Sequence, residues 1–123
     1  MISVRSSGIS GTASSDCVHA FLWTSTAGMQ DLGTLNGGSC SHASGISDFG
    51  QVVGDSGNPA SPIGSSAFIW TSSSGMQDLN ALTHLKKGWT MPIAYGISQT
   101  GDIVGVLEQV SGPYFHAVLL TAR

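Results

Sequence analysis

Apolar residues in this chain come in short runs separated by serine, glycine and other turn-forming residues. The clearest run, His19-Ala20-Phe21-Leu22-Trp23-Thr24, lies between Ser14-Ser15-Asp16 and Ser25-Thr26-Ala27-Gly28. Its length suits a strand and is too short for a helix. Both alternating faces of the run are apolar or small, which predicts a strand buried on both sides, in a sheet held between two others. Phe21, Leu22 and Trp23 are therefore expected in the core, with Phe68, Ile69, Trp70, Val118 and Leu119 of the similar runs. Residues 29–35 alternate instead, with Met29, Asp31 and Gly33 on one side and Gln30, Leu32 and Thr34 on the other, which predicts an outer, half-exposed strand.

The pattern returns. Ser66-Ala67-Phe68-Ile69-Trp70-Thr71 and Gly75-Met76-Gln77-Asp78-Leu79 repeat the words at 19–24 and 28–32 with an offset of 47 positions. A fixed period of that size marks an array of supersecondary units that cannot bury their apolar faces without neighbours. One hairpin lies between these words, Ala43 to Ser47 turning through Asp48-Phe49-Gly50 into 51–56, and another follows them, Ala94 to Ser98 turning through Gln99-Thr100-Gly101 into 102–106. A complete unit is thus four short strands, in the order AxGIS, GxVVG, xAFxW and GMQDL, and the approximate units are 1–37, 38–82 and 83–123. Phe115-His116-Ala117-Val118-Leu119-Leu120-Thr121 is the third copy of the apolar strand, and no fourth strand follows it.

The first unit admits two alignments. In one, Ile9-Ser10-Gly11 stands for Val52-Val53-Gly54; in the other, Ser7-Gly8-Ile9-Ser10 matches Ser44-Gly45-Ile46-Ser47 and the next strand is deleted. The stretch 57–65 is a Gly, Pro and Ser loop of the kind that carries specificity on repeat arrays. An insert at 80–92 joins the middle and last units, with room for one helical turn within 79–86.

Composition supports this reading. Charged residues are 9% of the 123-residue chain and glycines number 17, so turns and small polar side chains replace the usual charged surface. Four basic residues against seven acidic ones, net −3, cannot build the basic face that phosphate neutralisation needs, so nucleic acid is not an expected partner. No apolar run approaches the roughly 18–20 residues of a membrane span, and 1–7 lacks the apolar core of a secretory signal. A bridge between Cys17 and Cys40 is conceivable, but their spacing does not imply one, and free thiols are the expectation.

Candidate chemistry is thin. His19 and His116 occupy equivalent positions, with Ser66 between them in the series, which suits a strand cap or a bond to a neighbouring unit. Asp31 and Asp78 are also equivalent, and a side-chain bond to a turn or adjacent strand suits them. No carboxylate pair, Gly-x-Ser-x-Gly elbow, phosphate-binding glycine motif or metal-ligand spacing is visible, and no cofactor is expected. Trp89 differs from Trp23 and Trp70 in lying within the insert, beside Lys87 and near His84. These three residues, Trp89, Lys87 and His84, are the candidate ligand-binding set, for a carbohydrate or a peptide.

The words resemble those of the HAF repeat, a probable extracellular repeat of bacterial proteins named for its His-Ala-Phe triplet. Family repeats read HAFLW, GMxDLGTLGG, SxAxGIN and GQVVGxS. Here His19 to Trp23, Gly28 to Gly38, Ser41 to Ser47 and Gly50 to Ser56 follow that order, and Gly88-Trp89-Thr90, Gly96-Ile97-Ser98 and His116 to Thr121 are similar to the repeat that closes such proteins. The resemblance implies an all-β fold in which antiparallel four-stranded units form the blades of a partial β-propeller, and it suggests extracellular placement. Two functions are compatible with it: a non-catalytic binding or interaction module, and a glycan-active hydrolase or lyase whose site forms from blade loops or at a subunit junction. So short an array leaves apolar faces to cover. A homodimer joining blades of two chains around a shared axis is the expected solution, and pairing of 1–7 beside 116–121 within one chain is the alternative.

Overall fold

The computed structural model describes residues 18–58, 61, 64–112 and 114–121 together with the backbone of 2–6. It is all-β apart from one helical turn. The strands are β1 (Ile2–Ser6), β2 (Ala20–Thr24), β3 (Gly28–Asp31), β4 (Ser41–Ile46), β5 (Val52–Gly57), β6 (Ser65–Thr71), β7 (Gly75–Asp78), β8 (Trp89–Ile97), β9 (Ile103–Gln109) and β10 (Phe115–Leu120), with α1 (Leu79–Leu82) after β7. They make three antiparallel sheets: a first of order β1-β2-β3, a middle of order β4-β5-β6-β7 and a last of order β10-β9-β8.

Turn chemistry sets the strand ends. Gly50 (φ 78°) and Gly101 (φ 90°) hold the left-handed position of the two expected hairpins, and their N–H groups donate to the carbonyls of Ser47 (3.0 Å) and Ser98 (3.1 Å). The turns before β3 and β7 are stapled alike, Ala27 N–H to Thr24 Oγ1 (3.0 Å) and Ser74 N–H to Thr71 Oγ1 (3.2 Å). β4 and β8 each bulge at the same place in the repeat, between Ala43 and Gly45 and between Ala94 and Gly96. The bulges face each other so closely that a Cβ on Gly45 would lie 3.0 Å from the Cα of Gly96, a contact tight enough that the facing backbone would have to give way by a few tenths of an ångström.

Cross-strand register corresponds between the sheets. Val52 pairs with Trp70 and Ile103 with Leu120, while Val53 pairs with Ile69 and Val104 with Leu119. Beside β2, Ser3 pairs with Trp23 and Val4 with Leu22, so β1 stands where β5 stands in the middle unit. That place falls to 3–6 rather than to Ile9-Ser10-Gly11, which lie outside the described residues, as does the rival Ser7 to Ser10. Because Ile2–Ser6 pairs with β2, it does not close the molecule beside β10.

The three sheets stack, and alternation along the middle sheet gives each neighbour one face. Val52, Phe68 and Trp70 point to the first sheet and pack on Ala20, Leu22, Leu32 and Leu35. Val53 and Ala67, joined by Ile69, point to the last sheet and pack on Met91, Ala94, Ile103, Val118 and Leu120. Of the three copies of the apolar run, β6 is therefore the one sandwiched as the run at 19–24 suggested for β2. In β2, Ala20 and Leu22 are buried while Trp23, on the opposite face, is 38% exposed. In β10, Val118 is half-buried and Leu119 is 58% exposed. These corrections have one cause: β2 and β10 belong to the end sheets, each with one neighbour.

Buried serines clip the first layer to the second. Ser41 Oγ accepts from Ala20 N–H (2.9 Å) and donates to the Gly33 carbonyl (2.6 Å), and Ser56 Oγ accepts from Leu35 N–H (2.9 Å) and donates to the Cys40 carbonyl (2.9 Å). The strand expected over 29–35 accordingly stops at Asp31, and Leu32 and Leu35 turn into the core. Cys40 is disulfide-bonded rather than a free thiol; the chain's other cysteine, Cys17, lies outside the described residues.

Candidate functional site

The segment after the fourth strand of a unit decides where the molecule opens. After β3 it folds straight down, with Leu32 and Leu35 buried and Leu35 N–H held by Ser56 on β5. After β7 the corresponding segment begins the same way: Leu79 is buried in the second core, and Asn80 N–H donates to Asp78 Oδ1 (2.9 Å) as Gly33 N–H donates to Asp31 Oδ1 (2.8 Å). Then the two diverge. Residues 79–82 form α1, Leu82 is 53% exposed, and the place of Ser56 on β9 is taken by Leu107, which offers no acceptor to draw the backbone down. The longer connection stands off the last sheet and leaves two clefts with Trp89 in a common wall.

One cleft, of about 370 Å³, is lined by His84, Leu85, Lys86, Trp89, Leu107 and His116. The other, of about 460 Å³, lies under the connection between Asn80 and Thr90 and reaches Val110. Trp89 is half-buried and meets the His116 ring edge-on, with centroids 5.0 Å apart and planes at 74°. Its backbone is fixed: Trp89 N–H donates to the Lys86 carbonyl (3.1 Å), and Val110 N–H donates to the Gly88 carbonyl (2.8 Å). Asn80 anchors the other end, donating through Nδ2 to the Met91 carbonyl (2.9 Å) and accepting through Oδ1 from Met91 N–H (2.7 Å) and the Thr90 hydroxyl (3.1 Å). The wall is thus rigid, whereas His84, Lys86 and Lys87 are exposed along its rim.

The three residues expected from sequence, Trp89, Lys87 and His84, all line the second cleft, and Trp89 and His84 also line the first. Trp89 opens β8 rather than lying outside the strands. Sequence reasoning missed Leu85, Leu107, Asn80 and His116 as site residues. For His116 the equivalence with Ser66 was visible in the sequence, but nothing local to it placed the ring beside Trp89. None of the described lining residues is an aspartate or glutamate, and neither lysine has a carboxylate at ion-pair distance among the described residues.

The remaining histidines and acids do other work. His19 Nδ1 lies 3.1 Å from both oxygens of Asp31 within its own sheet, not across to a neighbour. In the middle unit, where Ser66 is too short to reach Asp78, the Asn58 amide bridges them, donating to Ser66 Oγ (3.2 Å) and Asp78 Oδ2 (3.4 Å). His42 Nδ1 lies 3.5 Å from Asp55, whose carboxyl is pushed above its ordinary value of 3.8 because burial outweighs the histidine's pull in the opposite direction. Of the loop at 57–65, residues 59, 60, 62 and 63 lie outside the described set; Gly57, Asn58 and Gly64 help line a cavity of about 200 Å³ with Gly37, Gly38 and Ser39. Among the described residues there is no group of three or more metal-ligating side chains, and no helix is long and apolar enough to cross a membrane. Comparison with protein-family models, curated proteins and solved structures finds no match to the chain.

Proposed function

We propose that the protein is a non-catalytic binding module built from HAF-like β repeats, and that its ligand is an acidic carbohydrate held at Trp89. The observation that carries the reading is the convergence of a fixed, half-buried indole with Lys86, Lys87, His84 and His116 in clefts whose described lining has no carboxylate. An indole presents a flat apolar face to a sugar ring, and unpaired rim cations select a negatively charged substituent. Without an acid pair in the lining, the same clefts offer nothing for glycosidic bond cleavage by two carboxylates. In this reading the three stacked sheets are blades of a partial β-propeller, self-association covers its ends, and the Cys40 disulfide supports an oxidising, extracytoplasmic setting.

Calorimetric titration tests the proposal with three probes: a uronic-acid oligosaccharide, its neutral counterpart and a glutamate-rich peptide. The acidic sugar is expected to bind, Trp89→Ala to abolish binding, and Lys86→Gln with Lys87→Gln to weaken it and flatten its salt dependence. Equal binding of the neutral sugar, preference for the peptide, or indifference to Trp89→Ala would each overturn it.

A further inference from the structure

We propose that the two end faces of the stack dock on one another between copies, the outer face of the last sheet of one chain on the outer face of the first sheet of a second, twice over, in a closed ring of two chains. The inference rests on reading the sheets as successive blades, and it is independent of the ligand at Trp89.

The stack shows twice what covers each kind of face. The first two sheets each have a trailing face that meets the next sheet: Ala20 and Leu22 in the first, Ala67, Val53 and Ile69 in the middle. By register, the same positions in the last sheet are Ala117, Val104 and Leu119. In the middle sheet Val53 and Ala67 are wholly buried, whereas Val104 is 48% and Leu119 58% exposed, with Tyr95 and Phe115 exposed alongside. This face is therefore apolar and built like one that a neighbouring sheet covers.

The opposite end carries the complement. The leading face of the middle sheet, Phe68 and Trp70 with Met76 beside them, fits against the trailing face of the first. Its equivalents on the first sheet are Phe21, Trp23 and Met29, with Trp23 38% and Met29 68% exposed where Trp70 is 6%. Among the described residues, the leading face of the first sheet has no trailing partner and the trailing face of the last has no leading partner. Contact between them is heterologous, and such contacts either close into a ring or grow without limit. Two chains of three sheets give six blades, inside the four to eight that propellers use. Large apolar faces also need cover, and the cover available in kind is a second copy.

Sedimentation equilibrium at micromolar concentration, without ligand, decides the matter. The expected mass is twice that of the 12.6 kDa chain. Met29→Glu on one face and Leu119→Glu on the other should each raise the dissociation constant on the order of 100-fold or more by placing an unpaired carboxylate in an apolar contact. Each alone should run as a monomer, and an equimolar mixture should regain dimer through the one contact that remains intact. Phe115→Glu serves as a second trailing-face variant, and unchanged circular dichroism shows that each variant is folded. A monomeric wild type, a dimer that survives Met29→Glu, a mixture that stays monomeric, or growth beyond two chains would overturn the proposal. The Trp89 titration reads the cleft separately, so either proposal can fail while the other stands.

Discussion

Replacing Ser41 by alanine removes one oxygen and leaves two backbone groups without a partner. Ser41 Oγ is the acceptor for Ala20 N–H at 2.9 Å and the donor to the Gly33 carbonyl at 2.6 Å, and the residue is wholly buried. A buried polar group that loses its partner costs about 1–3 kcal/mol, so the substitution should destabilise the fold by about 2–5 kcal/mol, far more than the net worth of an ordinary hydrogen bond. With a urea dependence of about 2 kcal/mol/M, the unfolding midpoint should fall by about 1–2.5 M at unchanged slope. Ser44→Ala, three residues along the same strand but exposed, should move it by less than about 0.5 kcal/mol. A midpoint for Ser41→Ala equal to that of Ser44→Ala would refute the idea that these serines clip the first sheet to the second.

Two further outcomes follow from groups outside the clefts. Asp55 has its carboxyl raised by burial, so its protonated form is favoured in the folded state; its contribution is fully present below the unfolded value of 3.8 and is lost as pH rises through the higher folded value. Urea titrations of wild type and Asp55→Asn across acidic to neutral pH should therefore show wild type gaining on the variant as pH falls, and the opposite trend would mean that the His42 pair dominates. Reduction of the Cys40 disulfide, or Cys40→Ser, should cost about 2–4 kcal/mol by releasing the unfolded chain, and an unchanged melting temperature under reductant would count against that role.

Strand words and turns were legible because their causes are local. Asp48-Phe49-Gly50 and Gln99-Thr100-Gly101 carry glycine where the turn needs it, and the apolar runs are too short for anything but strands. What could not be read was position in the stack. Trp23 and Trp70 sit in nearly identical words, yet one is exposed and the other buried, because the difference lies in which sheet has two neighbours. Leu35 and Leu82 differ for a similar reason: Ser56 holds the first segment down, and Leu107 cannot hold the second. At the site, Trp89, Lys87 and His84 are close in sequence and could be grouped by proximity. His116 and Leu107 come from other strands, and only the register of β8, β9 and β10 brings them to the indole.

The bonding of Asp31 and Asp78 bears on how such a chain can change over generations. One carboxylate is held by a histidine at the head of its own hairpin, and the other by an amide reaching in from a loop 20 positions away. Exchange of the strand words alone would therefore not conserve this bonding. A unit copied with Ser66 but without Asn58 loses the amide at Asp78 Oδ2 and keeps the Asn80 bonds at Oδ1, and a histidine written in at position 66 competes with the amide already there. Substitutions at 58 and 66 should be strongly non-additive, each tolerated only in the company of the other. Asn58 thus ties its loop to the β6–β7 hairpin, and a swap that carries the hairpin without position 58 loses bonds that a swap carrying both keeps.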